Sequence, residues 1–229
     1  MAYVKRIVCL ANSFKIGGSC IAGREFLGNG QFGGWIRPVS ARATAEVSFS
    51  EYKYQDNTSP KLLDIIDVPM LNPDPRRHQT ENHVIDAAQP WAKVAEFPWA
   101  DFEKIRDKPA SIWLNSDRTG GGCYDCISEA EAGTLHDSLA LVKPDGFSVE
   151  VGKHYYTGKR AYRGNFDYNG THYNLSLTDP VAINAFAAKG DGTYPLEDVY
   201  ICVSLTEPWK KDNNRCHKLV AAIFSNPPL

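Results

Sequence analysis

The chain has 229 residues, 43% hydrophobic and 11% aromatic, enough to bury one large core or two small ones. Its formal net charge of −2 excludes a global basic field that would gather nucleic acid from a distance. The charge is uneven, however: residues 1–45 carry six basic side chains against one acidic, residues 46–144 ten against seventeen, and residues 145–229 nine of each. The apolar run at 7–11 is too short for a secretory signal, and no later stretch approaches membrane-spanning length. Six scattered cysteines in a chain of this size read as reduced thiols, so a cytoplasmic protein without a membrane partner is expected.

In chain order, residues 4–11 read as a buried strand and 20–27 as a second. Between 28 and 33 the sequence Gly28-Asn29-Gly30-Gln31-Phe32-Gly33 has the spacing of a dinucleotide fingerprint. The extended Trp35-Ile36-Arg37-Pro38-Val39 follows it, where the pyrophosphate site needs a helix, so these glycines are read as a turn between strands. Residues 46–54 form a short helix or irregular connection, and 62–71 a strand ended by Pro73 and Pro75. A polar stretch, 76–83, precedes a short helix at 99–106, a Gly120-Gly121-Gly122 turn and a strand at 138–142. The turn Pro144-Asp145-Gly146 is the expected boundary between halves spanning 1–144 and 145–229.

The second half is the more legible. A strand at 149–156 leads into a hairpin, 160–168 with 171–178, around Asn169-Gly170, the dipeptide that suits a type I′ turn because both central residues need φ > 0. That turn sets Tyr168 against Thr171, Phe166 against Tyr173, Gly164 against Leu175 and Tyr162 against Leu177. Arg163, Asn165, Asp167, His172, Asn174 and Ser176 then share a polar outer face. Asp179 and Pro180 open a helix over 181–189 ending at Gly190, and strands at 200–206 and 217–224 complete the chain. Three strands, a helix and two strands is the order of an OB-fold, a five-stranded Greek-key barrel. The first half reads similarly, with long insertions. The expected fold is mainly β with short helices: two small OB-like barrels.

The segments Cys20-Ile21-Ala22-Gly23, Gly34-Trp35-Ile36-Arg37-Pro38-Val39-Ser40 and His78-Gln79-Thr80-Glu81-Asn82-His83 resemble the dual OB-containing domain family. Leu175-Ser176-Leu177-Thr178-Asp179-Pro180 and Cys202-Val203-Ser204-Leu205 carry the same resemblance, which spans nearly the whole chain. It is a bacterial family associated with nucleic-acid-linked and defence functions. The resemblance implies two barrels, a binding role and a further protein of the same system as a partner. It implies no catalytic residue.

Three functional readings follow. In the first, the chain is a non-enzymatic module for nucleic acid or a nucleotide: Trp35 stacks on a base, Arg37 pairs with a phosphate or a guanine edge, and Lys15 adds positive charge from the same segment. In the second, a metal-dependent phosphodiesterase or hydrolase uses Asp179 and Glu207, near each other at one rim with Lys218, in a repeated strand exit (Ser176-Leu177-Thr178-Asp179-Pro180 and Ser204-Leu205-Thr206-Glu207-Pro208). In the third, His78, Gln79, Asn82 and His83 form a small-ligand sensor or protein-docking loop. Asp179, Ser204, Glu207 and Lys218 are the ligand-contact candidates of the second half. No cofactor or metal is expected: His78 and His83 lack the one-face spacing of a helical zinc pair, and Cys123-Tyr124-Asp125-Cys126 lacks the second Cys pair of a structural zinc site.

Overall fold

The computed structural model describes residues 2–15 and 17–229, Lys15 in its backbone alone. The chain forms two compact units, Met1–Ile105 and Arg106–Leu229.

In the first unit β1 (Tyr3–Lys15), β2 (Gly18–Gly28) and β3 (Gln31–Val39) form an antiparallel meander. The turn from β2 to β3 puts Asn29 at φ 52° and Gly30 at φ 72°, a hairpin turn where a dinucleotide site would need a helix. A one-turn helix α1 (Phe49–Tyr52), capped by Ser48 with Glu51, leads to β4 (Asp64–Pro73). β5 (Asn82–Ile85) then pairs antiparallel with β4 and parallel with β3, and β4 pairs with β1. The order β1-β2-β3-β5-β4 thus returns to β1, closing a five-stranded barrel that has no free edge. β6 (Ala92–Glu96) extends β4, and α2 (Phe102–Ile105) ends the unit. Alternate residues Ile7 and Cys9, and Ile66, Val68 and Met70, face the barrel interior with Ile21, Ile36, Ile85 and Trp91.

The second unit contains β7 (Cys126–Ile127), α3 (Glu129–Ala132), β8 (Leu139–Val142), β9 (Gly146–Lys153), β10 (Arg160–Tyr168) and β11 (Thr171–Leu177). α4 (Pro180–Phe186), β12 (Gly192–Leu196), β13 (Val199–Leu205) and β14 (Cys216–Ser225) follow. Its sheet runs β12-β9-β10-β11-β14-β13-β8, with β11 and β14 parallel. Without its two outer strands this is again three strands, a helix and two strands in OB order. Asn169 at φ 49° and Gly170 at φ 73° make the expected hairpin turn, and the ladder from Tyr168–Thr171 to Arg163–Ser176 has the register the turn dictates. Phe166 stacks on Tyr173 with ring centroids 5.4 Å apart at the centre of the core.

Three expectations are corrected. The units divide between Ile105 and Arg106, not at Pro144-Asp145-Gly146, because the wholly buried β8 pairs with β13 and closes the second core. The end of the polar stretch 76–83 is not loop: Asn82 and His83 begin β5, the strand that completes the first barrel. The helix after Asp179 stops at Phe186, short of Lys189.

Candidate functional site

Ile36 faces the first core, so its neighbours Trp35 and Arg37 face outward. Their environments differ. Trp35 is half-buried and lies opposite Arg24 on β2, whose guanidinium carbon sits 5.3 Å from the indole centroid. Arg24 Nη1 also donates to Gly33 O at 3.3 Å, which holds it beside the ring. Arg37 is only 3% exposed; its Nη2 lies 3.2 Å from Glu81 Oε1, and its backbone N donates to Glu81 O at 2.8 Å. The expected phosphate contact of Arg37 is therefore replaced by a buried ion pair.

The same pairing neutralises much of the basic amino-terminal segment. Lys5 bonds Glu25 at 2.6 Å, and Arg6 grips Asp67 through two bonds of 2.6 and 2.8 Å. Arg42 reaches Glu51 at 2.7 Å and Glu46 at 3.4 Å. The Lys15 side chain lies outside the described residues.

The polar stretch is drawn inward. His78, Gln79 and Asn82 are buried, and a reciprocal backbone pair between Arg76 and Gln79 folds the connection tightly. Asn82 has no exposed surface, and its side-chain amide has no hydrogen-bond partner. His83 stays half-buried, 2.6 Å from the Tyr3 hydroxyl, and desolvation with nearby Lys5 lowers its pKa from the ordinary histidine value. This is a strand start and tight turn rather than an open reading loop.

In the second unit Asp179 is 1% exposed. Its Oδ1 accepts from Val181 N at 2.9 Å and Ala182 N at 3.4 Å, and its Oδ2 from Ile223 N at 2.9 Å. Burial raises its carboxyl above its ordinary value against the opposing pull of these donors. Glu207 is exposed, whereas Asp179 faces the interior with both oxygens engaged, so the expected two-acid metal rim does not form. Among the described residues, no group of three or more His, Cys, Asp or Glu side chains is placed to hold a metal ion. Ser204 is half-buried on β13. Lys218, expected as a ligand contact beside the two acids, is wholly buried: its Nζ donates to Leu114 O at 2.7 Å and Asn115 Oδ1 at 3.0 Å, and desolvation lowers its pKa to about 8.

The polar outer face of β10 and β11 is occupied by the chain itself. Arg163 donates to Asn174 Oδ1, to Ser176 Oγ at 3.1 Å and to Asp125 Oδ2 at 2.9 Å. Cys123 exchanges two backbone bonds of 3.2 Å with Asn174. Exposed aromatics missed in the sequence stand instead on two loops of this unit: Tyr155, Tyr156 and Trp209 are 70%, 66% and 53% exposed. A run of Tyr-Tyr or Trp-Lys-Lys inside a turn was the available signal. A separate cavity of about 480 Å³ in the first unit is lined by Tyr54, Thr58, Lys61, Asp64, Trp91 and Lys93. The Asp64 carboxylate there already holds the Tyr54 hydroxyl and the Lys93 ammonium, each at 2.8 Å.

No helix among the described residues is long and apolar enough to cross a membrane. Neither a curated protein nor a solved structure gives a significant match to the chain. Residues 5–223 match the protein family described as Dual OB-containing domain. With OB strand order in both units and a family match over nearly its full length, the chain belongs to the dual OB-containing domain family.

Proposed function

We propose that the protein is a non-enzymatic module that binds single-stranded nucleic acid or a nucleotide. The observation that carries this reading is the Arg24–Trp35 pair on the outer face of β2 and β3 of a closed OB barrel. OB barrels use that face for oligonucleotides. A partly buried indole still offers a base part of its π-surface, and the guanidinium beside it supplies charge for the backbone.

The reading fits a reducing, cytoplasmic setting, since all six cysteines are free thiols. A role beside another protein of a bacterial defence system is the setting the family resemblance implies.

The test is fluorescence anisotropy with labelled DNA and RNA oligonucleotides over a salt series. Affinity is expected to fall as salt rises. Trp35→Ala is expected to lose about 1–3 kcal/mol of binding free energy. Undetectable binding to both polymers and to mononucleotides at low salt removes the proposal.

A further inference from the structure

We propose that the rim of the second barrel, formed by the β9–β10 and β13–β14 loops, is a binding surface for a single-stranded polynucleotide. This rests on the nucleic-acid reading above and gives it a second site in the same chain. The first loop presents Tyr155 and Tyr156 in an edge-to-face pair with centroids 4.9 Å apart, and the second presents Trp209 edge-on to His217 at 5.7 Å. Large aromatics this exposed bury little area at home, and each leaves ring surface on which a base can stack.

The two loops are tied to one strap, residues 117–126. Arg215, at the end of the second loop, donates to Asp117 Oδ2 at 3.1 Å and to Arg118 O at 3.4 Å. Two residues on, Gly120 N donates to the Tyr156 hydroxyl at 3.2 Å. A side chain at Gly120 would come within 2.6 Å of the Tyr155 ring, so strap and loop are in close contact. Three residues of backbone span at most about 11 Å, so both loops converge on the same end of the barrel.

Charge selects the occupant. Exposed Arg118, Lys153, Lys159, Lys210 and Lys211 belong to this rim or its strap. Asp212 of the second loop and Asp117 of the strap are both engaged by Arg215, and against the five cations the second loop adds one exposed acid, Glu207. The strap also closes the alternative, because Cys123 and Asp125 cover the outer face of β10 and β11. A strand therefore has the rim, not the sheet face, as its track. A phosphate backbone with unstacked bases matches separated cations interleaved with rings; a folded partner with an apolar interface does not.

The experiment uses the full chain with labelled oligo(dT) and oligo(U) of roughly 12 nucleotides, within the span one OB barrel holds. Tyr155→Ala and Trp209→Ala are expected each to weaken binding by roughly 5- to 100-fold, with Tyr155→Phe and Trp209→Phe near wild type. Lys210→Ala/Lys211→Ala is expected to reduce the slope of log affinity against log salt by about 1.4. Comparing the two oligomers decides whether DNA or RNA is the natural source, and an effect on either supports the rim. Wild-type affinity in all rim variants, alongside a loss in Trp35→Ala, overturns the rim while the first-barrel reading stands. Failure of the unmutated protein to bind either oligomer overturns both. Tyr155 and Trp209 are mostly exposed, so thermal midpoints of the variants should match the parent and separate lost contact from lost fold.

Discussion

Asp179 and Ile223 are joined beside the β11–β14 seam of the second barrel by a 2.9 Å bond from the Ile223 amide to Asp179 Oδ2. The other carboxylate oxygen caps α4 through Val181 N and Ala182 N, so one side chain fastens the helix to β14. Asp179→Ala removes the cap and leaves a buried N–H without an acceptor. We expect a loss of about 2–4 kcal/mol in urea unfolding, with no change in the metal dependence of any property.

Lys218 gives a pH-dependent prediction. Its pKa falls from 10.5 to about 8 on folding because burial disfavours the ammonium. Between these values the unfolded chain binds more protons than the folded one, so stability from this group rises with pH. Below pH 8 the buried charge opposes folding by about 3 kcal/mol relative to pH above 10.5. The stability of wild type minus that of Lys218→Met should therefore climb across this window. A flat difference in denaturant titrations at pH 7 to 10 contradicts it.

Arg37 and Arg24 should behave oppositely, though both are strand arginines of the first barrel. Arg37→Ala removes a buried ion-pair partner of Glu81 and is expected to cost about 3–5 kcal/mol of stability. Arg24→Ala leaves the fold intact and weakens oligonucleotide affinity. Unfolding midpoints and anisotropy on the same two variants distinguish these outcomes.

Gly122 is required by packing. A Cβ there would lie 1.8 Å from Asp125 Oδ2 and 2.5 Å from Arg163 Nη2, inside the ion pair that holds the strap. Gly122→Ala should cost about 1–3 kcal/mol and raise amide exchange in 117–126 before the rest of the unit.

The neighbouring Asn169-Gly170 turn shows how much was legible beforehand. Two residues with φ > 0 fix a hairpin, the hairpin fixes a register, and the observed Phe166–Tyr173 and Gly164–Leu175 pairs follow. The Asp179-Pro180 helix start is equally local. Trp35 was less legible: a tryptophan beside Ile36 reads as readily as core as it does as a stacking surface. Arg37 and the His78–His83 stretch were not legible: their polar side chains read as solvent-facing, yet Arg37, His78, Gln79 and Asn82 are buried. Nothing within a few residues of Asn82 announces that it begins the strand that closes the barrel.

The sequence by itself determined the turns, the caps, the alternating strands and the OB order of the second unit, because each depends on residues close together in the chain. Only the tertiary structure decided which cations keep a charge toward solvent, since Lys5, Arg6 and Arg37 meet their acids through the fold and not through adjacent sequence. It likewise decided that β8 belongs to the second core and that β4 returns to β1, because a long-range ladder forms only where burial over the whole barrel outweighs the entropy of closing the intervening loops.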